Sequence, residues 1–210
     1  MSVLDHLASA QGRRDEIPNV ELAQRLVAQG DREGIAELVG ALQHSKKPVR
    51  HDALKALYEV GALKPEWISD YVKEFVALLD HKDSRMAWGS MTALGKIAPL
   101  QAKELSKHFP LICRAMERGS VIACDHGVKV LAMVASRSGA SGNKIFAYLL
   151  KHLQTCRSKE VPQHGESTFI AVRPKNAADF KAVLVAREKE FTKPQARRIQ
   201  KLLEQTEELL

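Results

Sequence analysis

The chain has 210 residues, 45 % hydrophobic and 27 % charged, only 5 % aromatic, with a net charge of +7. That balance suits a soluble folded protein, and it excludes a membrane span because no apolar run approaches eighteen residues. Few rings also argue against a stacking platform for single-stranded nucleic acid.

The opening residues, MSVLDHLASAQGRRDE, lack the basic and apolar regions of a secretory signal. Three widely spaced cysteines, Cys113, Cys124 and Cys156, do not make a disulfide framework. Both features lead us to expect a cytoplasmic protein. Residues 1–33, including IPNVELAQRLVAQGD, read as a degenerate starting unit.

From residue 34 a repeat sets in. GIAELVGALQHS carries a first apolar helix pattern, and SKKP places Ser45 in a turn and Pro48 early in the next helix. That second helix puts Val49, Asp52, Ala53, Ala56, Leu57, Val60 and Gly61 on one face. Pro65 follows it. WISDYVKEFVALLD supplies the next first helix, with Trp67 in it, and HKDS offers Asp83 as an N-cap.

Thirty-seven residues on, the same offsets give Met86, Gly89, Ser90, Ala93, Leu94, Ile97 and Ala98, closed by Pro99. HFPLICRAMERG and RGS, with Gly119 and Ser120, lead to a third copy: Ala123, His126, Gly127, Val130, Leu131, Val134 and Ala135. SGASGN (138–143) reads as a flexible loop between repeats. The segment LLKHLQTCRSKEVPQHGESTFIAVRPKN keeps the register poorly. Glu160, Gln163, His164 and Thr168 fall where the stripe should be apolar, so its second helix should be short or distorted. KPQARRIQKLLEQ (193–205) forms the last second helix.

Paired helices at a period of about 37 cannot bury their stripes alone and must stack. The segments LQHSKKPVRHDALKALYEVGAL and LLDHKDSRMAWGSMTALGKIA resemble HEAT repeats, the armadillo-type α-solenoid family. Pro48, Val49, Arg50, Ala53, Ala56 and Leu57 match the family pattern in one unit. Asp83, Met86, Ala93, Leu94 and Gly95 match in the next, where Ala87 stands at the usual arginine. The third unit keeps Val130 and Leu131 but has Cys124 there. The resemblance implies an all-α, right-handed α-solenoid over residues 1–210. Residues 34–143 form three clear repeats and residues 144–210 divergent basic units.

No hydrolase, nucleotide-binding or metalloprotease motif is present. Asp52 and His126 stand two repeats apart, too far for one proton relay, and read as tolerated stripe-edge polar residues. CDHG (124–127) with Cys113 lacks the short-spaced pairs of a zinc site, so no metal and no cofactor is expected. His44 and His81 recur in register, which points to a shared turn role.

Basic residues concentrate late: residues 144–201 hold 13 Lys/Arg against 5 Asp/Glu. The resemblance implies that the second helices line a concave face. Positions just off the buried stripe should point outward there: Arg50, His51, Lys55, Tyr58, Trp88, Thr92, Asp125 and Lys129, then Arg197, Arg198 and Lys201. Arg50, Lys55, Tyr58, Trp88, Lys129, Arg197, Arg198 and Lys201 are the candidate partner-binding residues. Lys55, Lys129 and Lys201 occupy matching places.

The expected function is a non-enzymatic scaffold whose concave face and basic C-terminal region hold a macromolecular partner, above all a protein, with no small-molecule substrate evident. The alternative is nucleic-acid binding through the basic third. Its enzyme form would be one of the DNA glycosylases, HEAT-like solenoids that remove alkylated bases from a basic groove lined by Trp and Asp.

Overall fold

The computed structural model describes residues 2–210. Among them there are eleven α-helices, short 3-10 turns and no strand. The helices are α1 (Ile17–Gln29), α2 (Arg32–Gly40), α3 (Lys47–Leu63), α4 (Val72–Ala77), α5 (Ser84–Lys107), α6 (Phe109–Arg118), α7 (Val121–Arg137), α8 (Gly139–Thr155), α9 (Val161–Phe169), α10 (Pro174–Ala186) and α11 (Lys193–Glu207). No described helix is long and apolar enough to cross a membrane.

The chain divides into two compact units, residues 1–101 with 110–126, and residues 102–109 with 127–210. In the first, α1 and α2 both pack on α3. Leu22 and Leu26 of α1, Ile35 and Leu38 of α2, and Ala53, Leu57 and Val60 of α3 are buried. In the second, α8 and α9 pack together, α10 lies on α8 and α11, and α11 lies on α9. Their core holds Leu153, Val161, Phe180, Leu184, Ile199 and Leu202.

The predicted stripes go inward. Ala53, Ala56, Leu57 and Val60 are essentially inaccessible, as are Ala93, Leu94 and Ile97 and then Val130, Leu131 and Val134. Small residues matter as much as large ones. A Cβ added at Gly89 would stand 2.7 Å from Leu54 Cδ2, so α5 comes close enough to α3 that a side chain there would push the end of Leu54 aside.

The helix starts follow the capping residues. Asp83 accepts the N–H of Arg85 (3.1 Å) ahead of α5, and Ser120 accepts that of Ala123 (3.3 Å) ahead of α7. Pro48 lies in the first turn of α3, where a missing N–H costs nothing. The turn histidines share a role, as their spacing suggested. His44 Nδ1 accepts the N–H of Lys46 (3.1 Å), and His81 Nδ1 accepts that of Asp83 (3.0 Å).

Three local expectations need correction. WISDYVKEFVALLD is not one helix: two 3-10 turns, Pro65–Trp67 and Ser69–Tyr71, precede a six-residue α4. Ile68 sits between them with φ −117° and ψ 0°, yet Ile68, Val72 and Phe75 still reach the core. Burial, not helical regularity, is what the apolar pattern encoded there.

Pro99 does not end α5. The helix continues and kinks at Gln101 (φ −111°, ψ 20°), two residues beyond the proline, which removes an N–H and crowds the preceding turn. SGASGN is not a loop between repeats. Gly139 takes the left-handed conformation (φ 52°) for a single residue, and α8 begins there.

Candidate partner-binding face

The face built by α3 and α5 in the first unit holds four of the eight candidate residues. α3 contributes Arg50, Lys55 and Tyr58, and α5 contributes Trp88. Their side chains do not share one fate.

Arg50 turns back on its own turn. Its Nη1 donates to the carbonyl oxygens of His44 (2.7 Å) and Ser45 (3.1 Å), which fixes the entry to α3. Its Nε is buried without a hydrogen-bond partner. His51, beside it, pairs with Asp83 (2.8 Å), which also holds Lys47 (3.1 Å). Burial opposes ionisation of Asp83, but the bonds from His51 and Lys47 outweigh it and hold the carboxyl well below the usual range.

Lys55 is largely enclosed. It pairs with Glu59 (2.7 Å) on its own helix and with Glu16 (3.2 Å) just before α1. Glu16 also holds Arg85 of α5 at 2.5 Å. Burial disfavours the Lys55 ammonium, yet Glu59, Tyr58 and Glu16 together raise its pKa. The ammonium lies 4.8 Å from the centre of the Tyr58 ring, a cation–π contact.

Tyr58 itself is only 9 % exposed, and Thr92 8 %, so neither points outward as expected. Burial pushes the Tyr58 phenol up. The reason is the close approach at Gly89, which brings α5 over this part of α3. Thr92 spends its hydroxyl on the carbonyl of Trp88 (2.9 Å).

Trp88 remains half-buried on this face. One turn before it lies the Arg85–Glu16 pair, and across on α3 lies Lys55–Glu59. The arrangement is an aromatic side chain on a rigid helix, rimmed by charges of both signs.

The second unit places the other candidates differently. Lys129 on α7 and Arg197 and Lys201 on α11 are exposed. Arg198 is exposed but engaged, with Nε and Nη2 on the two oxygens of Glu166 at 2.7 and 2.6 Å. The basic run is therefore partly neutralised by the chain itself.

Two buried polar ties join residues far apart in the chain. In the first unit, Asp52 accepts the Ser9 N–H (2.7 Å) and the Asn19 amide (2.9 Å), while Asn19 accepts the Ala8 N–H (2.9 Å). In the second, His164 is fully buried and its Nδ1 lies 3.0 Å from His152 Nε2. Burial, reinforced by His164, pushes His152 down to about 4, so it is neutral at pH 7. Residue type alone marked Asp52 and His164 as misfits; their partners lie too far along the chain to be read.

Cys113 is buried, Cys124 and Cys156 are half-buried, and none is disulfide-bonded. Burial raises the Cys156 thiol, the reverse of what a thiolate nucleophile needs.

No family model matches the sequence, and no curated protein does either. Solved structures do. A designed armadillo repeat protein in complex with the peptide (KR)4 superposes with a TM-score of 0.68 over 88 % of this chain and 85 % of its own, at 16 % identity. The fold is an armadillo-type α-solenoid.

Other solved structures agree. A computationally designed armadillo repeat protein for modular peptide recognition gives a TM-score of 0.66 at 17 % identity, over the same shares. An engineered protein gives 0.68 at 19 % identity over 99 % of this chain and 98 % of its own. At such identities the likeness is one of fold, and it says nothing of which solenoid residues touch a ligand.

Proposed function

We propose that the protein is a non-catalytic scaffold that binds a polypeptide on the α3–α5 face of its first unit. Trp88 is the observation that carries this reading. A half-exposed tryptophan fixed on a helix, one turn from the Arg85–Glu16 pair, has the composition of a binding hot spot. The mixed charges of Arg85, Glu16, Lys55 and Glu59 suit a partner segment that itself carries both signs. Two solenoids of similar fold are described as peptide binders, which supports a peptide over a small substrate. Cysteines that are not joined by disulfides fit a cytoplasmic setting.

Selection from a random peptide display library provides the test. Wild-type protein should enrich a shared sequence pattern, and Trp88→Ala should bind those peptides at least 30-fold less tightly, the loss of about 2 kcal/mol typical of a hot spot. Enrichment unaffected by Trp88→Ala would remove the assignment. Tight, steeply salt-dependent binding of duplex DNA, lost on Arg197→Glu with Lys201→Glu, would instead favour the nucleic-acid reading.

A further inference from the structure

Position 87 is where the second repeat departs from the first. In the first, the Arg50 guanidinium fills the space beside the turn that precedes α3. In the second, the equivalent residue is Ala87, and a cavity of about 200 Å³ lies beside the equivalent turn. Its walls include Ala87 and Lys82 from one segment and Arg114, Arg118 and Ser120 from another, all within the first unit.

The charge of that cavity is lopsided. Lys82, Arg114 and Arg118 face a single carboxylate on the wall, Asp80. Among the described residues none of the three forms an ion pair, unlike Lys55, Arg85 and Arg198, which are each held by a glutamate. His81 also lines the space. Its Nδ1 is occupied by the Asp83 N–H, so the neutral ring keeps its proton on Nε2 as a donor. The 17-residue α7 begins at Val121, next to the lining residue Ser120, and adds the positive end of its dipole.

Three exposed like charges around one hollow give it a positive potential that favours an anion. The geometry points to a binding site for a phosphate-type oxyanion, formed by Lys82, Arg114 and Arg118 in the space that Ala87 leaves open. Arginine forks match the geometry of phosphate oxygens and can engage them in pairs. The volume is about six or seven times the ~30 Å³ share of a water molecule in the liquid, enough for a phosphate group and the atoms that carry it. A cation seated on the turn carbonyls, as Arg50 is in the first repeat, would meet three like charges here.

The test is a titration of the full chain with inorganic phosphate, followed by amide NMR, with chloride at matched ionic strength as the reference. Saturable shifts at Ser84, Gly119 and Ser120 are expected, with affinity at least tenfold weaker in Arg114→Ala/Arg118→Ala and unchanged in Lys189→Ala. A second arm uses a phosphoserine peptide and its unphosphorylated form. Tighter binding of the phosphopeptide than of inorganic phosphate would identify a phosphorylated side chain as the source; equal affinity would identify the free ion. Shifts no larger than those from chloride, or a double variant that binds like wild type, would overturn the site.

Discussion

Replacing Asp52 by alanine should loosen the start of the chain from α3. The carboxylate accepts two donors, the Ser9 N–H at 2.7 Å and the Asn19 amide at 2.9 Å, and Asn19 is fully buried. Alanine leaves both donors without an acceptor. Each orphaned donor costs about 1–3 kcal/mol, so the pair should cost about 4 kcal/mol. Against the 5–15 kcal/mol typical of a domain, that is a large share. In urea unfolding followed by circular dichroism, a slope near 2 kcal/mol/M would turn the loss into a midpoint lower by about 2 M. A double-mutant cycle with Asn19→Ala should show coupling of about 1–2 kcal/mol, because the second substitution removes a donor already stranded by the first. A loss below about 1 kcal/mol, or strictly additive effects, would refute the argument that this tie holds the N-terminal segment.

Two further outcomes follow from the second unit. Thr168 is fully buried with its hydroxyl unpartnered, so Thr168→Val should stabilise by about 1 kcal/mol in thermal or urea unfolding; destabilisation would mean the hydroxyl has a partner after all. His152, held down to about 4 by burial and then by His164, resists protonation that the unfolded chain accepts near pH 6.5. Its contribution is therefore complete above pH 6.5 and drains away as pH falls towards 4, about 2 kcal/mol after allowing for solvent screening. His152→Gln should show a flatter decline of stability between pH 7 and pH 5; identical slopes would remove His152 as the cause.

The repeat was legible because it is written in residue types that burial selects. Every fully apolar stripe position, from Ala53 to Val134, needed only its spacing to be placed. The departures share one physical cause: sequence pattern reports which side of an element is buried, not how the backbone gets there. Ile68, Val72 and Phe75 reach the core through two 3-10 turns and one short helix, and Pro99 bends α5 without ending it. The candidate face was half legible. Trp88 is half-buried on α5. No local pattern could show that Glu16 would claim Lys55 and Arg85, that Glu166 would claim Arg198, or that Tyr58 would be covered by the helix passing Gly89.

The turn histidines carry a consequence beyond holding their loops. Because His44 and His81 each receive a backbone N–H at Nδ1, the folded turn selects one of the two neutral ring forms, the one protonated at Nε2. A turn that opens releases that choice, and the shifts of the two ring nitrogens then move towards the average of the two forms. Successive repeats are thus marked by nature with one spectroscopic label apiece, His44 for the first and His81 for the second. The order in which the array comes apart is written in the nitrogen spectrum of two rings, with nothing added to the protein.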